Sequence, residues 1–226
     1  MAALLERDAE IALTDKELDR IVHLVYERSG ITLHRGKRAL VIARLHKMLK
    51  AGNFRSFAAY VRHVEEDRSG HELSILIDAI ATNHTSFFRE DEHFRFLAGR
   101  VVPPLIEAAK PVRVWCAACS TGQEPVSIAI TLRETVPEAL HSRIRLLASD
   151  ISTRALKTAA TGVYPARTIA GVPQATLKTY FERGLGDDDG KVRVSARLRR
   201  VIEYRRLNLL EIDTLNETFD VVFSRI

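Results

Sequence analysis

Between positions 114 and 125 the chain reads VWCAACSTGQEP, and the residue types in that string support two kinds of chemistry. Cys116 and Cys119 have the C-x-x-C spacing of a redox dithiol, which works when one thiol is acidified at a helix N-terminus and the other can resolve a mixed disulfide. Ala117, Ala118, Ser120 and Gly122 are instead small enough for a ligand to approach the main chain at the end of a first strand, where open α/β sheets bind ligands. The helix expected here begins after Gly122, beyond both thiols. The spacing therefore favours the ligand-binding turn.

The polar residues extend that reading. Glu124 follows at the mouth of the helix, and the next apolar run closes on Asp150. A carboxylate at the end of a second strand can accept from both hydroxyls of a ribose. The absence of G-x-G-x-x-G disfavours a dinucleotide phosphate cradle. A nucleoside without phosphates fits better, and the combination points to S-adenosyl-L-methionine.

Such a turn needs a sheet to carry it, and the second half of the chain supplies the pattern. VRVWC and RIRLLAS are short apolar runs, QEPVSIAITLRETV and STRALKTAATG read as helices, and TFDVVFS adds another buried strand. Strands alternating with helices predict a parallel sheet covered on both faces. Between them, FERGLGDDDGKVRVSARLRRVIEYRRLN has turn glycines at 184, 186 and 190 and an alternating KVRVS. This predicts a small antiparallel insert with KVRVS at its edge.

Residues 14–80 read differently, as helices throughout. Thr14 with Glu17 three residues on is a capping-box signature, Gly30 supplies a stop, and Ile21, Leu24 and Val25 fall on one helical face. Further helices are expected at about 37–50, 56–64 and 72–80. Between Arg28 and Arg62 stand nine Lys or Arg and no Asp or Glu. A solvated helical face accounts for many such runs, but an unbroken block of one sign also suits docking to something acidic. Arg38, Arg44, Lys47 and Lys50 lie at positions the core does not require, which leaves them free to face a partner.

The totals are those of a water-soluble protein: 226 residues, 46% hydrophobic, 28% charged, net charge +5. No apolar run reaches the roughly 18–20 residues of a membrane span, and the first residues, MAALLERDAEIALTD, carry acids where a signal peptide would be apolar. A cytoplasmic protein without membrane insertion is expected. Two cysteines make no disulfide scaffold, and the eight scattered His give no zinc pattern, so no metal is expected.

The chain resembles the chemotaxis protein methyltransferases (CheR) from about Leu13 onward. ATNHTSFFRE is similar to the family's N-x-T-x-F-F-R-E signature, VWCAACSTGQEPVSIA to its cofactor loop, ASDISTRALKTAATGVY to its second-strand segment, and YFERG and LNLL to two later marks. The resemblance implies an α/β fold class with a small N-terminal helical bundle (residues 1–82). A Rossmann-like S-adenosylmethionine-dependent methyltransferase sheet follows (83–226), with a β insert around 184–204. It also implies methyl transfer from S-adenosyl-L-methionine to glutamate carboxylates on the cytoplasmic helices of chemoreceptors, leaving S-adenosyl-L-homocysteine.

Residue by residue, the resemblance implies that Asn83, Thr85 and Arg89 contact the cofactor, with Arg89 suited to its carboxylate and to a positioning role in catalysis. Gly122 belongs to the cofactor loop, Glu124 and Asp150 take the amino and ribose groups, Asn208 and Leu209 frame the adenine, and Arg225 completes the set. Phe87 and Phe88 are expected to pack, and His84 and His93 to make ordinary polar contacts. Arg38, Arg44 and Lys47 are assigned to the acidic receptor helices, and the KVRVS edge to a receptor's C-terminal tail.

Two departures stand out. Val126 occupies a position where the family usually has Tyr, and the sequence stops at FDVVFSRI, with Ile226 where Asn is expected and without the family's later Tyr near the methyl group. A C-terminally shortened enzyme is expected, or a sensor or scaffold that binds the cofactor without turnover. A nucleic-acid methyltransferase would use the basic block for phosphates, but it would normally carry Asn/Asp-Pro-Pro-aromatic after a central strand, which is absent here.

Overall fold

The computed structural model describes residues 11–81, 85–184 and 186–225. The chain divides into two compact units, residues 1–82 and 83–226.

The first unit is helical: α1 (Asp15–Ser29), α2 (Arg38–Ala51), α3 (Phe57–Glu66) and α4 (His71–Ile80). The capping box at the start of α1 is formed in both directions between Thr14 and Glu17, and Gly30 closes the helix in the left-handed region at φ 71°. Glu17 also accepts from the Ala58 N–H at 2.9 Å, which ties α1 to the first turn of α3. Ile21, Val25, Val41, Leu45, Leu49, Phe57, Val61 and Leu76 form the dry centre of this unit.

The basic block is only partly available to a partner. Arg38 forms an ion pair with Asp15 and donates to the Leu13 carbonyl. Arg44 sends Nη1 to the carbonyls of Ala79, Ile80 and Ala81 at 3.2, 2.7 and 2.8 Å, where the C-terminus of α4 presents unpaired acceptors and the negative end of its dipole. The expectation that these two residues are free is corrected: both guanidinium groups hold the helical unit together. Lys47, on the outer face of α2, is exposed.

The second unit begins with α5 (Asp91–Phe96), a single π-helical turn (Leu97–Val101) and α6 (Val102–Glu107), whose first turn holds Pro103 and Pro104. Proline is tolerated there because first-turn N–H groups have no intrahelical partner. Then come β1 (Val112–Ala117), α7 (Gln123–Thr135), β2 (Ile144–Asp150) and α8 (Thr153–Thr161). The chain continues with β3 (Val163–Pro165), α9 (Gln174–Tyr180), β4 (Phe181–Arg183), β5 (Lys191–Val194), α10 (Ala196–Arg199), β6 (Ile202–Arg206) and β7 (Val221–Ser224).

Four strands form a parallel sheet in the order β6-β2-β1-β7. Both faces of β1 are buried, as a parallel sheet requires. Val112, Val114 and Cys116 face the core containing Ile128, Ile130 and Leu132 of α7. Trp115 and Ala117 alternate to the other face, with Leu147 and Leu207. The Trp115 indole N–H donates to Ser149 Oγ at 2.9 Å, so its polar atom is satisfied inside the sheet.

The small antiparallel sheet differs from expectation in two ways. It is built from β3, β4 and β5, within 163–194, and Ile202–Arg206 joins the parallel sheet instead of an insert at 184–204. Its order is β3-β5-β4, which makes KVRVS the central strand. Its hydrogen-bonding edges are both taken, and the edges of this sheet are β3 and β4.

Among the described residues no helix is long and apolar enough to cross a membrane.

Candidate functional site

The sheet order places β1 between β2 and β7: the chain runs outward from β1 through β2 to β6 and then crosses back to β7 on the other side of β1. That is the switch point at which ligands bind beyond the carboxyl ends of the strands. After Ala117 the backbone turns through three left-handed residues in alternation, Ala118 (φ 60°), Ser120 (φ 50°) and Gly122 (φ 98°). Two carry a Cβ, at a cost on the order of 1–2 kcal/mol each, so the turn must be held from outside. The Cys119 N–H donates to the Ser149 carbonyl at 2.8 Å, the Ser120 N–H to Asp150 Oδ2 at 2.7 Å, and the Tyr164 hydroxyl to the Thr121 carbonyl at 3.0 Å.

Gly122 is also required by the packing around it. A Cβ there would lie 2.7 Å from both Ala159 Cβ and the Tyr164 hydroxyl. Its missing side chain admits α8 and β3, while its positive φ starts α7.

Asp150 is 8% exposed and bridges two segments. Oδ2 accepts from Ser120 and Oδ1 from the Ser152 N–H at 2.8 Å, while its carbonyl accepts from the Leu207 N–H at 3.1 Å. That last bond sets Asn208 beside it. Asn208 caps a short 3-10 turn (Leu209–Thr214) through the Leu210 N–H at 3.1 Å, and Leu209 packs partly buried against the Trp115 cluster.

Glu124, in the first turn of α7, is 6% exposed. Oε1 accepts from Cys116 Sγ at 3.3 Å and Oε2 from Arg225 Nε at 2.5 Å. Arg225 also donates from Nη1 to the Arg89 carbonyl at 2.9 Å and to Glu90 Oε2 at 3.1 Å. The structure thus brings Arg89, Glu124 and Arg225 to one place, and links Gly122, Asp150 and Asn208 through the same turn. The Arg89 guanidinium is half-exposed, with Nε 3.7 Å from Glu90 Oε1. Thr85 is half-buried, and Asn83 and His84 lie outside the described residues. Phe87 and Phe88 pack, Phe87 edge-on to Tyr164 and Phe181 and Phe88 edge-on to Phe94. His93 Nδ1 lies 3.6 Å from Glu90.

The donor set fits S-adenosyl-L-methionine. A buried carboxylate at Glu124 already attracts a cation, as it would an ammonium, and Asp150 is an acceptor at the end of the second strand, as a ribose diol requires. Residues 83–225 match the family described as "CheR methyltransferase, SAM binding domain", and residues 16–81 match "CheR methyltransferase, all-alpha domain". The chain belongs to the CheR methyltransferase family. It is 38% identical over 217 residues to chemotaxis protein methyltransferase 2 of Pseudomonas aeruginosa, spanning 96% of this chain and 76% of that protein. It is 36% identical over 222 residues to the chemotaxis protein methyltransferase of Borreliella burgdorferi, spanning 95% and 77%. A similar protein from Escherichia coli is 37% identical over 223 residues, spanning 98% and 76%.

As a member of the CheR family, the chain is an S-adenosylmethionine-dependent methyltransferase, and the C-x-x-C reads accordingly. Both thiols are free and buried, Cys116 wholly and Cys119 nearly so. Burial, followed by the nearby Glu124 carboxylate, pushes the Cys116 thiol well up; burial and Asp150 do the same to Cys119. An activated dithiol needs the opposite shift. Val126, where the CheR family usually has Tyr, is a core residue here. Among the described residues no group of three or more His, Cys, Asp or Glu is placed to hold a metal ion.

Sequence reasoning assigned no role to Tyr164, Glu90 or Ser127. Tyr164 lies in the quoted ATGVY segment, and a tyrosine two residues after a helix-stopping glycine and directly before a proline was the available signal. Ser127 accepts from the Phe88 N–H at 3.0 Å while donating to the Gln123 carbonyl, so it docks the Phe87–Phe88 segment on α7.

Proposed function

We propose that this chain transfers a methyl group from S-adenosyl-L-methionine to glutamate side chains on the cytoplasmic helices of chemoreceptors. The observation that carries the reading is the pair of buried carboxylates, Glu124 and Asp150, flanking a main-chain turn of small residues beyond the first two strands of the sheet.

When bound, the cofactor supplies an electrophilic sulfonium methyl. Glu124 receives its ammonium, in competition with Arg225; Asp150 receives the ribose; Asn208 and Leu209 frame the base; Thr85, Arg89 and Asn83 hold the amino-acid end. The acceptor is a carboxylate, ionised at neutral pH, so these residues need to position rather than deprotonate. Holding nucleophile and methyl in line supplies about 7 kcal/mol or more. Lys47 and the neighbouring cations would attract the Glu-rich helices, with an exposed edge at β3 or β4 for an added strand from a receptor tail. The cytoplasm is the compartment in which these substrates are found.

The test is transfer of labelled methyl to a glutamate-rich receptor fragment. A methyl ester releases methanol in mild alkali, and Glu→Gln at the acceptor abolishes the signal. Label that is stable to alkali, or that enters nucleic acid, would overturn the assignment. Cofactor binding without transfer would make the chain a binding protein.

A further inference from the structure

A side chain of the small sheet is hydrogen-bonded to the cofactor turn. Tyr164 sits in the middle of β3, paired with Val192 of β5, and is 2% exposed. Its hydroxyl donates to the Thr121 carbonyl, which lies in the turn between Ser120 and Gly122, both at positive φ. Its ring stands edge-on to Phe87 at 5.2 Å, and Phe87 is edge-on to Phe181 of β4 at 5.4 Å. Strand β3, the segment after Thr85 and the turn that carries Gly122 therefore meet at Tyr164, with β4 joined to them through Phe87.

We propose that Tyr164 is a positioning residue for methyl transfer, its hydroxyl holding the Thr121 carbonyl so that the turn stays in the ligand-binding conformation and feels the state of the small sheet. This rests on the cofactor assignment of the turn but not on the identity of the methyl acceptor. Several features make the hydrogen bond specific to this role. The turn has left-handed residues that persist only when their surroundings over-determine them. The Asp150 carboxylate fixes it from one side at Ser120, and Tyr164 fixes it from the other at Thr121. Burial, followed by the nearby Cys119, raises the tyrosine's pKa, so the hydroxyl remains a donor across the physiological range. The missing Cβ of Gly122 also leaves the space the hydroxyl occupies. Any strand that pairs with the outer edge of β3 would bear on the residue that grips the turn.

The test compares wild type with Tyr164→Phe by calorimetry against S-adenosyl-L-homocysteine, with stoichiometry and dissociation constant read separately. The Phe variant keeps the ring contacts with Phe87 and Phe181 and loses one hydrogen bond, so the expected result is a dissociation constant about five- to tenfold weaker at unchanged stoichiometry. Amide exchange at residues 118–122 should quicken while α1–α4 stay protected. A merely structural role would lower the competent fraction and the denaturation midpoint and leave the dissociation constant of the folded protein alone; that outcome would overturn the proposal. If Tyr164→Phe folds poorly, Phe87→Leu, which removes the ring beneath Tyr164, should weaken binding in the same direction, and unchanged affinity there would also overturn it. Wild type that fails to bind S-adenosyl-L-homocysteine would instead refute the cofactor reading of the turn, and the proposal with it.

Discussion

Arg225 reaches Glu124 across 101 residues of sequence, with Nε 2.5 Å from Oε2, and ties the end of β7 to the first turn of α7. The guanidinium is one-fifth exposed and the carboxylate almost wholly buried. Removing the cation strands a desolvated anion, which in a fully buried pair costs about 3–5 kcal/mol.

For Arg225→Ala the partial exposure of the arginine reduces that figure to roughly 1–3 kcal/mol. A urea midpoint should fall accordingly. An unchanged midpoint would show that Glu124 regains solvent or another partner. Glu124→Gln, by contrast, keeps the shape but removes the charge, and should weaken S-adenosyl-L-homocysteine binding.

Asp150→Asn retains an acceptor for the Ser152 N–H but loses the charge offered to Ser120 and to a ribose. Calorimetric affinity for S-adenosyl-L-homocysteine should fall by about 1–3 kcal/mol in a folded variant. Equal affinity would remove Asp150 from the site.

Both buried thiols ionise in the folded chain above their ordinary value of 9.0, because burial disfavours the thiolate. The folded protein then holds protons that the unfolded chain releases. Stability from this source is complete below pH about 9 and falls as pH rises beyond it, by about 1.4 kcal/mol per pH unit for each thiol. Replacing Cys116 with Ser and Cys119 with Ala should flatten that decline and leave cofactor affinity within about tenfold, a tolerance set by the loss of one weak thiol hydrogen bond and some packing. An unchanged alkaline profile would assign the decline to Tyr164 and Tyr204, whose hydroxyls are also pushed up by burial.

The basic block separates into two functions that mutation can distinguish. Arg44→Ala should cost about 1–3 kcal/mol of stability, since three carbonyls at the end of α4 lose their donor. Lys47→Glu should leave stability and cofactor affinity unchanged but slow association with glutamate-rich receptor fragments, an effect that fades as salt rises. Loss of duplex DNA or RNA binding in Lys47→Glu, with receptor association intact, would favour the nucleic-acid reading.

The legible parts of this fold are those with local signals. Thr14, Glu17 and Gly30 bracket α1 because capping is a local affair, and β1 and β2 read as largely apolar runs, broken only near their starts by exposed Arg113 and Arg145, because both faces of a parallel strand are buried. β6 was hidden because it lies at the sheet's edge: only Ile202 is buried, and Glu203, Tyr204, Arg205 and Arg206 read as part of a charged insert. β3 is only three residues long and ends at Pro165. At the site, Glu124 and Asp150 were readable from their positions at element ends. The Glu124–Arg225 pair and the reach of Tyr164 to Thr121 were not, because they join segments with no relation in sequence. Arg38 and Arg44 misled for the same reason: helical spacing shows that a residue leaves its own helix's core, not what it meets beyond.

The sheet order also imposes a schedule. β1 and β7 are neighbours in space but more than a hundred residues apart in the chain, so during synthesis one side of β1, the carboxylate of Glu124 and the carbonyl of Arg89 must wait for Val221–Arg225. At roughly 5–20 residues per second the wait lasts about 5 to 20 seconds. During that time the nascent unit has an open strand edge and an unneutralised acid beside the turn that follows β1. The Glu124–Arg225 pair is therefore completed only after the strand that ends β1's wait has been made.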